Sequence, residues 1–135
     1  MMRKGHSLVE FALTLPIFFF ILFGMIELVL LGHNYLLVAS TAQEAARLGA
    51  TGAGDDEILE FIDRSLDRLV NTYLLKGVIG EVRILPREDE RRVGIEIVVK
   101  IDYSVFVNIG WMGLDILHVD LPAKARMPVE MDLWR

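Results

Sequence analysis

Between Phe11 and Leu31 the chain holds a single formally charged side chain, Glu27, among fifteen Leu, Ile, Phe and Val residues. A helix of about twenty residues crosses the ~30 Å hydrocarbon core of a bilayer, so this run is long enough to span one. Each of these apolar side chains favours insertion by about 0.3–0.6 kcal/mol, against a ceiling near 3 kcal/mol for one central acid. Insertion therefore wins despite Glu27. Arg3 and Lys4 precede the run, whereas the first basic residue after it is Arg47. The positive-inside bias then puts the N-terminus in the cytoplasm and the large C-terminal part outside it.

The 135 residues allow one small domain besides this anchor. There is no cysteine, which removes disulfides and thiolate chemistry. A small domain without disulfides holds by packing, or by docking on its own helix and on partners. The net charge of −5 argues against a nucleic-acid binder, which would show a basic stripe.

Met1 to Gly5 reads as a leader too short to fold. Glu10 stands five residues after Gly5 at the edge of the apolar run, with Phe11 next. A carboxylate there is costly unless paired. Cleavage after Gly5 would create a cationic α-amine on His6, able in an assembly to pair with Glu10 of a neighbour. Two other readings stand beside this one. In the first the anchor is never cut and Gly5 is dispensable. In the second, Ser40-Thr41-Ala42 ends a secretory signal, although the apolar run exceeds an h-region of about 7–15 residues and contains Glu27.

Gly5 followed by HSLVEF resembles the processing site of type IV prepilins, in which a membrane peptidase cuts after a glycine and a glutamate stands fifth in the mature chain. VEFALTLPIFFFILFGMIEL and then TAQEAARLGA closely resemble the TadE-like family of pseudopilins from the tight-adherence (Flp) pilus system. The matching positions are Glu10, Phe11, Pro16, Gly24, Glu27, Ala45, Ala46, Arg47 and Gly49. The likeness covers roughly the first fifty residues; the remainder agrees only in general pattern. It implies a non-enzymatic minor pilin of the bacterial cytoplasmic membrane, acting in assembly of Flp pili and hence in adhesion. Gly5, His6, Glu10 and Phe11 would form the processing site for a prepilin peptidase. The other implied partners are further minor pilins and the pilus assembly platform, with no cofactor and no small-molecule substrate.

Along the first helix, Pro16 lacks an N–H and crowds the carbonyl four residues back, which predicts a bend near Ala12 and Leu13. Gly24 and Gly32 share nearly one face and either admit another helix or are neutral. Glu27 either binds a partner helix or reaches the outer interface. Ala39, Ala42, Ala46 and Gly49 form a small-residue stripe, against which either the chain's own outer domain or a filament core can pack. Glu44 and Arg47 are spaced to pair. Gly49, Gly52 and Gly54 end the helix. The division expected is a leader at 1–5, a helix at 6–50 with its membrane part at about 11–31, and an extracytoplasmic α+β domain at 51–135.

Asp55, Asp56 and Glu57 suit a helix first turn, where the dipole favours acids; they lack the ligand spacing of a calcium loop. Ile58, Phe61, Ile62, Leu66, Leu69, Val70 and Tyr73 continue one apolar face at helical period, and Lys76-Gly77 closes this second helix. Glu60 and Arg64 are a favourable four-residue pair. Beyond Gly77 the period is two: a strand through Val82 and Ile84, a solvated turn from Pro86 through Arg92, and a strand from Ile95 to Ser104. A third strand runs from Leu117 to Lys124, with Pro122 at an edge or bulge. The connection from Val105 to Leu114, with Trp111 and Met112, covers the core end, the membrane or a partner; Trp134 is similarly undecided. The fold expected is α+β and pilin-like: a long bent N-terminal helix, a second amphipathic helix and a small antiparallel sheet of about three to four strands. His6, His33 and His118 are dispersed, and no metal spacing or phosphate loop accompanies them. The pattern argues against an enzyme.

Overall fold

The computed structural model describes residues 3–70, 75–109 and 114–130. Helix α1 (Arg3–Ala50) is continuous through Pro16, and the chain divides into two compact units, Met1–Gly32 and His33–Arg135. In the first unit the apolar side chains are turned to the surroundings: Leu8 is 71% exposed, Phe11 64% and Phe20 79%. In water such a helix would leave its largest side chains unburied. In a bilayer the same surface is solvated by lipid.

The rest of α1 belongs to the second unit and is buried along one stripe. Asn34, Val38, Thr41, Ala42, Ala45, Ala46 and Ala50 are all at or below 4% exposure. Three- and four-residue spacing puts them on one face, and their small size lets the helix lie close to what covers it. At Gly49 the approach is closest, since a Cβ built there would overlap Ile97 Cδ1. The helix ends in a Schellman motif. Gly52 takes a φ of 100°, its N–H donates to the Gly49 carbonyl at 3.3 Å, and the Ala53 N–H donates to the Leu48 carbonyl at 3.0 Å.

Helix α2 (Asp55–Leu66) starts with Asp55, Asp56 and Glu57 in its first turn and buries Ile58, Ile62 and Leu66. It stops earlier than its apolar periodicity predicts. Asp67 is the C-cap, and the Asn34 side chain holds the backbone of Val70, which takes that residue out of any helical ladder. The predicted continuation at 71–74 lies outside the described residues. Lys76 and Gly77, read as a helix end, sit instead in strand β1 (Leu75–Leu85). The glycine there serves close packing, because a Cβ on Gly77 would overlap the ring and hydroxyl of Tyr103.

The sheet is antiparallel and built around β2 (Glu96–Ile109). β1 pairs along one side of it. On the other side β3 (Leu114–Asp120) pairs with the C-terminal half of β2 and β4 (Ala123–Pro128) with the N-terminal half. The single third strand expected is thus interrupted at Leu121-Pro122, where proline removes a ladder donor. The Leu121 N–H still reaches the Tyr103 carbonyl at 2.7 Å. Ile97, Val99, Ile101, Tyr103 and Val105 alternate inward along β2 and are at most 2% exposed. Ala123 and Ala125, opposite Ile101 and Val99, extend the same face. Residues 105–109, expected in a connection, prolong β2 because Val105 to Val107 pair with Val119 to Leu117 and, after a register shift, Asn108 and Ile109 pair with Asp115 and Leu114. Trp111, Met112 and Trp134 lie outside the described residues.

The charged turn is the other departure. Arg87, Asp89, Glu90 and Arg92 are exposed as expected, around a short 3-10 helix at Glu88–Glu90. Arg91 is buried, at 1% exposure. Its guanidinium donates to the carbonyls of Ala53 at 2.8 Å and Pro86 at 3.3 Å and to the Asp55 carboxylate. Sequence composition counted it with its solvated neighbours; the carbonyls and acid that receive it come from other segments.

Candidate functional site

The residues singled out in the sequence fall on two parts of α1 with opposite surroundings. Gly5 and His6 lie in its first turns. Glu10 and Phe11 are exposed, and the Thr14 hydroxyl donates to the Glu10 carbonyl at 2.8 Å. A Cβ on Gly24 or Gly32 would meet nothing within 4 Å, so neither glycine is used for packing among the described residues. Glu27 is partly buried.

Ala42, Ala46 and Gly49 are covered. The stripe that the sequence left open to two uses is already filled within this chain by the second unit's own core. Arg47 remains exposed, with its backbone carbonyl accepting from the Thr51 N–H at 3.1 Å. Glu60 and Arg64 form the predicted pair on the surface of α2.

Sequence reasoning missed a polar latch at the start of the second unit. Asn34 is 3% exposed. Its Nδ2 donates to the Val70 carbonyl at 2.7 Å and to Tyr103 Oη at 3.3 Å, while its Oδ1 accepts from the Val70 N–H at 3.0 Å. The amide therefore replaces the backbone partner Val70 would otherwise lack. Burial pushes the Tyr103 phenol above its ordinary pKa, with the Asn34 hydrogen bond acting the other way. An isolated asparagine after an apolar run was the only signal.

The outward face of the sheet carries paired charges. Lys100 Nζ lies 2.8 Å from Asp102. The Arg83 hydrogen bond holds Glu81 below its ordinary carboxylate range. His118 stacks on Phe106 with ring centres 4.5 Å apart. Asp120 Oδ1 accepts from Ser104 Oγ at 2.6 Å and lies 3.1 Å from His118 Nε2. Here the carboxylate stands between hydroxyl and imidazole, whereas activation of a serine needs the imidazole between the other two. The arrangement orders the surface and gives Ser104 no base. Among the described residues no group of three or more His, Asp or Glu is placed to hold a metal ion.

One helix among the described residues, within Leu8–Ala50, is long and apolar enough to cross a membrane, and a single such N-terminal helix fits a single-pass membrane protein. At 1.5 Å per residue its first unit from Arg3 to Gly32 extends about 45 Å, more than the ~30 Å hydrocarbon core requires. Comparison with curated proteins and with solved structures gives no match. Residues 5–47 match the family model described as TadE-like protein, and over that stretch, less than half of its length, this chain is similar to that family.

Proposed function

We propose that this protein is a pseudopilin of a Tad-type pilus, cut after Gly5 by a prepilin peptidase and taken up into a minor-pilin complex that primes or caps assembly of the fibre. The observation that carries the reading is the TadE-like match over residues 5–47, on a helix whose first unit leaves its apolar side chains uncovered. The N-terminus faces the cytoplasm and the second unit lies outside the membrane. The bilayer stores the subunit, and assembly exchanges lipid contacts for helix–helix contacts. Glu10 on the exposed surface meets the new α-amine of His6 on a neighbouring subunit. Charge pairing lowers the cost of holding a carboxylate in an apolar setting and sets the register. The protein acts as a structural subunit and not as an enzyme.

The test is the intact mass and N-terminal sequence of the protein from native membranes, beside a Gly5→Val variant. A chain starting at His6, lost in the variant, is the expected result. A start at Met1 or Met2 in both overturns the reading in favour of an uncleaved membrane-anchored scaffold of a secretion or pilus apparatus. For the pairing step, Glu10→Ala should leave membrane insertion intact and reduce recovery in sheared pili; unchanged recovery would remove Glu10 from the mechanism.

A further inference from the structure

β2 runs nearly in line with the part of α1 that it covers. A Cβ on Gly49 would overlap Ile97 Cδ1, and the Asn34 amide donates to Tyr103 Oη. Six residues of β2 thus cover the same path as fifteen of α1, about 20 Å at 3.3 Å per residue against about 22 Å at 1.5 Å. The ladder does not stop at Tyr103. Three residues on, Phe106 stands between Lys76 of β1 and His118 of β3, and pairing continues to Ile109 opposite Leu114. The row Lys76–Phe106–His118 therefore lies about 10 Å past Tyr103, on the side away from Ile97, and the last pair about 20 Å past it. Lys76 and His118 are exposed, and the His118 ring is stacked on Phe106. Asn34 also holds Val70, which brings Arg68, exposed two residues earlier, to the same end. Residues 68–79 contain these two cations and no acid, and residues 103–119 contain one acid, Asp115. Asp67, also exposed, precedes Arg68, while Asp120 is engaged by Ser104 and His118.

We propose that this end of the sheet seats in the phospholipid headgroup layer of the membrane that holds α1, with Arg68 and Lys76 donating to lipid phosphates and Phe106 at the boundary with the acyl chains. Connectivity selects the membrane as the occupant. Leu31, the last residue of the apolar run, is three residues from Asn34 in a continuous helix, about 4–5 Å along its axis. A bilayer surface reached at Leu31 passes within a few ångströms of Asn34, and the strands extend past Asn34 by more than the ~5–8 Å depth of one headgroup layer. The side chains suit that layer. Long cationic stems lie in apolar surroundings while their heads stay among the phosphates, and N–H donors to phosphate form charge-assisted hydrogen bonds. Phe106 is half-buried, and its remaining surface leaves water on entering the acyl boundary. This is a second membrane contact beside the spanning helix, and uptake into a fibre must break it. The inference rests on the membrane reading of the first unit and not on the cut after Gly5.

The chain has no cysteine, so single cysteines report depth without background. Lys76→Cys, His118→Cys, Lys124→Cys and Ile21→Cys are introduced one at a time into the full chain and labelled with an environment-sensitive fluorophore. Each protein is reconstituted in vesicles of phosphatidylglycerol and phosphatidylethanolamine, with and without nitroxide-bearing lipid. Labels at positions 76 and 118 should show blue-shifted emission and quenching by nitroxides near the headgroups. The label at position 124, opposite Lys100 and so on the other side of Tyr103, should show neither. Arg68→Glu with Lys76→Glu should lower the quenching at position 118, and unchanged quenching overturns the phosphate contacts. Water-like emission at 76 and 118, with the label at 21 quenched, overturns the proposal and gives this end to a protein partner or to solvent, while the membrane reading stands. An unquenched label at 21 overturns the membrane reading and the proposal with it.

Discussion

Arg91 joins segments that the sequence keeps apart: the loop after α1 at Ala53, the first turn of α2 at Asp55, and the turn at Pro86. Burial draws its guanidinium below its ordinary pKa, yet three acceptors keep the charge worth holding. Replacing one partner of a buried pair costs about 3–5 kcal/mol, and the partial exposure of Asp55 places Arg91→Met near about 3 kcal/mol. For a domain of this size that lowers Tm by roughly 10–20 °C, measurable by thermal melting in detergent; a shift under a few degrees would contradict the clamp. Tyr103 supplies a pH test. Its folded pKa is raised by burial, so the stability it contributes is complete below the unfolded value near 10 and is lost as pH rises through the folded value. Tyr103→Phe should remove this loss, so that the stability gap between the two proteins changes between about pH 9 and 11. A constant gap would count against a buried phenol. Neither role was legible in the sequence, because a buried arginine or tyrosine differs from an exposed one only in what distant segments place around it.

At the scale of elements, α1 is one helix with two packing regimes, and two of its glycines separate them. In a helix interior Gly→Ala gains about 1 kcal/mol of propensity. At Gly49 a Cβ would overlap Ile97 Cδ1 and press on Ile58 Cδ1 at 3.1 Å, and overpacking costs about 1–3 kcal/mol. Gly49→Ala should therefore be destabilising or at best neutral, and Gly49→Val clearly destabilising, in chemical denaturation of the second unit. Gly24→Ala meets no neighbour and should leave that unfolding unchanged, showing any effect only in assembly. Equal unfolding effects at the two positions would refute the distinction. The small-residue stripe was legible as a surface for close approach, but its occupant was not, since alanine spacing is the same whether a sheet or another helix lies against it. The end of α2 was misread for a related reason: Leu69 and Val70 continue the helical period, while the Asn34 amide captures the Val70 backbone. Pro122 was read as an edge or bulge within one strand, whereas it falls between β3 and β4, where its missing N–H interrupts the ladder.

For the whole molecule, the buried core from Asn34 to Val129 draws on the second unit alone. A chain lacking residues 3–32 should then be recovered without detergent, with mixed helix and sheet circular dichroism and one cooperative melt. The full chain should resist extraction by alkaline carbonate. An aggregated or molten truncated protein would show that the second unit needs the apolar helix to fold. By itself the sequence determined the membrane-length run, the amphipathic start of α2 and the alternation of β2, all of which rest on length, period or steric rules acting between near neighbours. Only the tertiary structure decided that Ala42, Ala46 and Gly49 are spent on the chain's own core, that Gly77 yields room to Tyr103, and that Arg91 is buried among carbonyls. Those outcomes depend on which distant atoms fill the space beside a residue, and burial and hydrogen bonding are set by that filling.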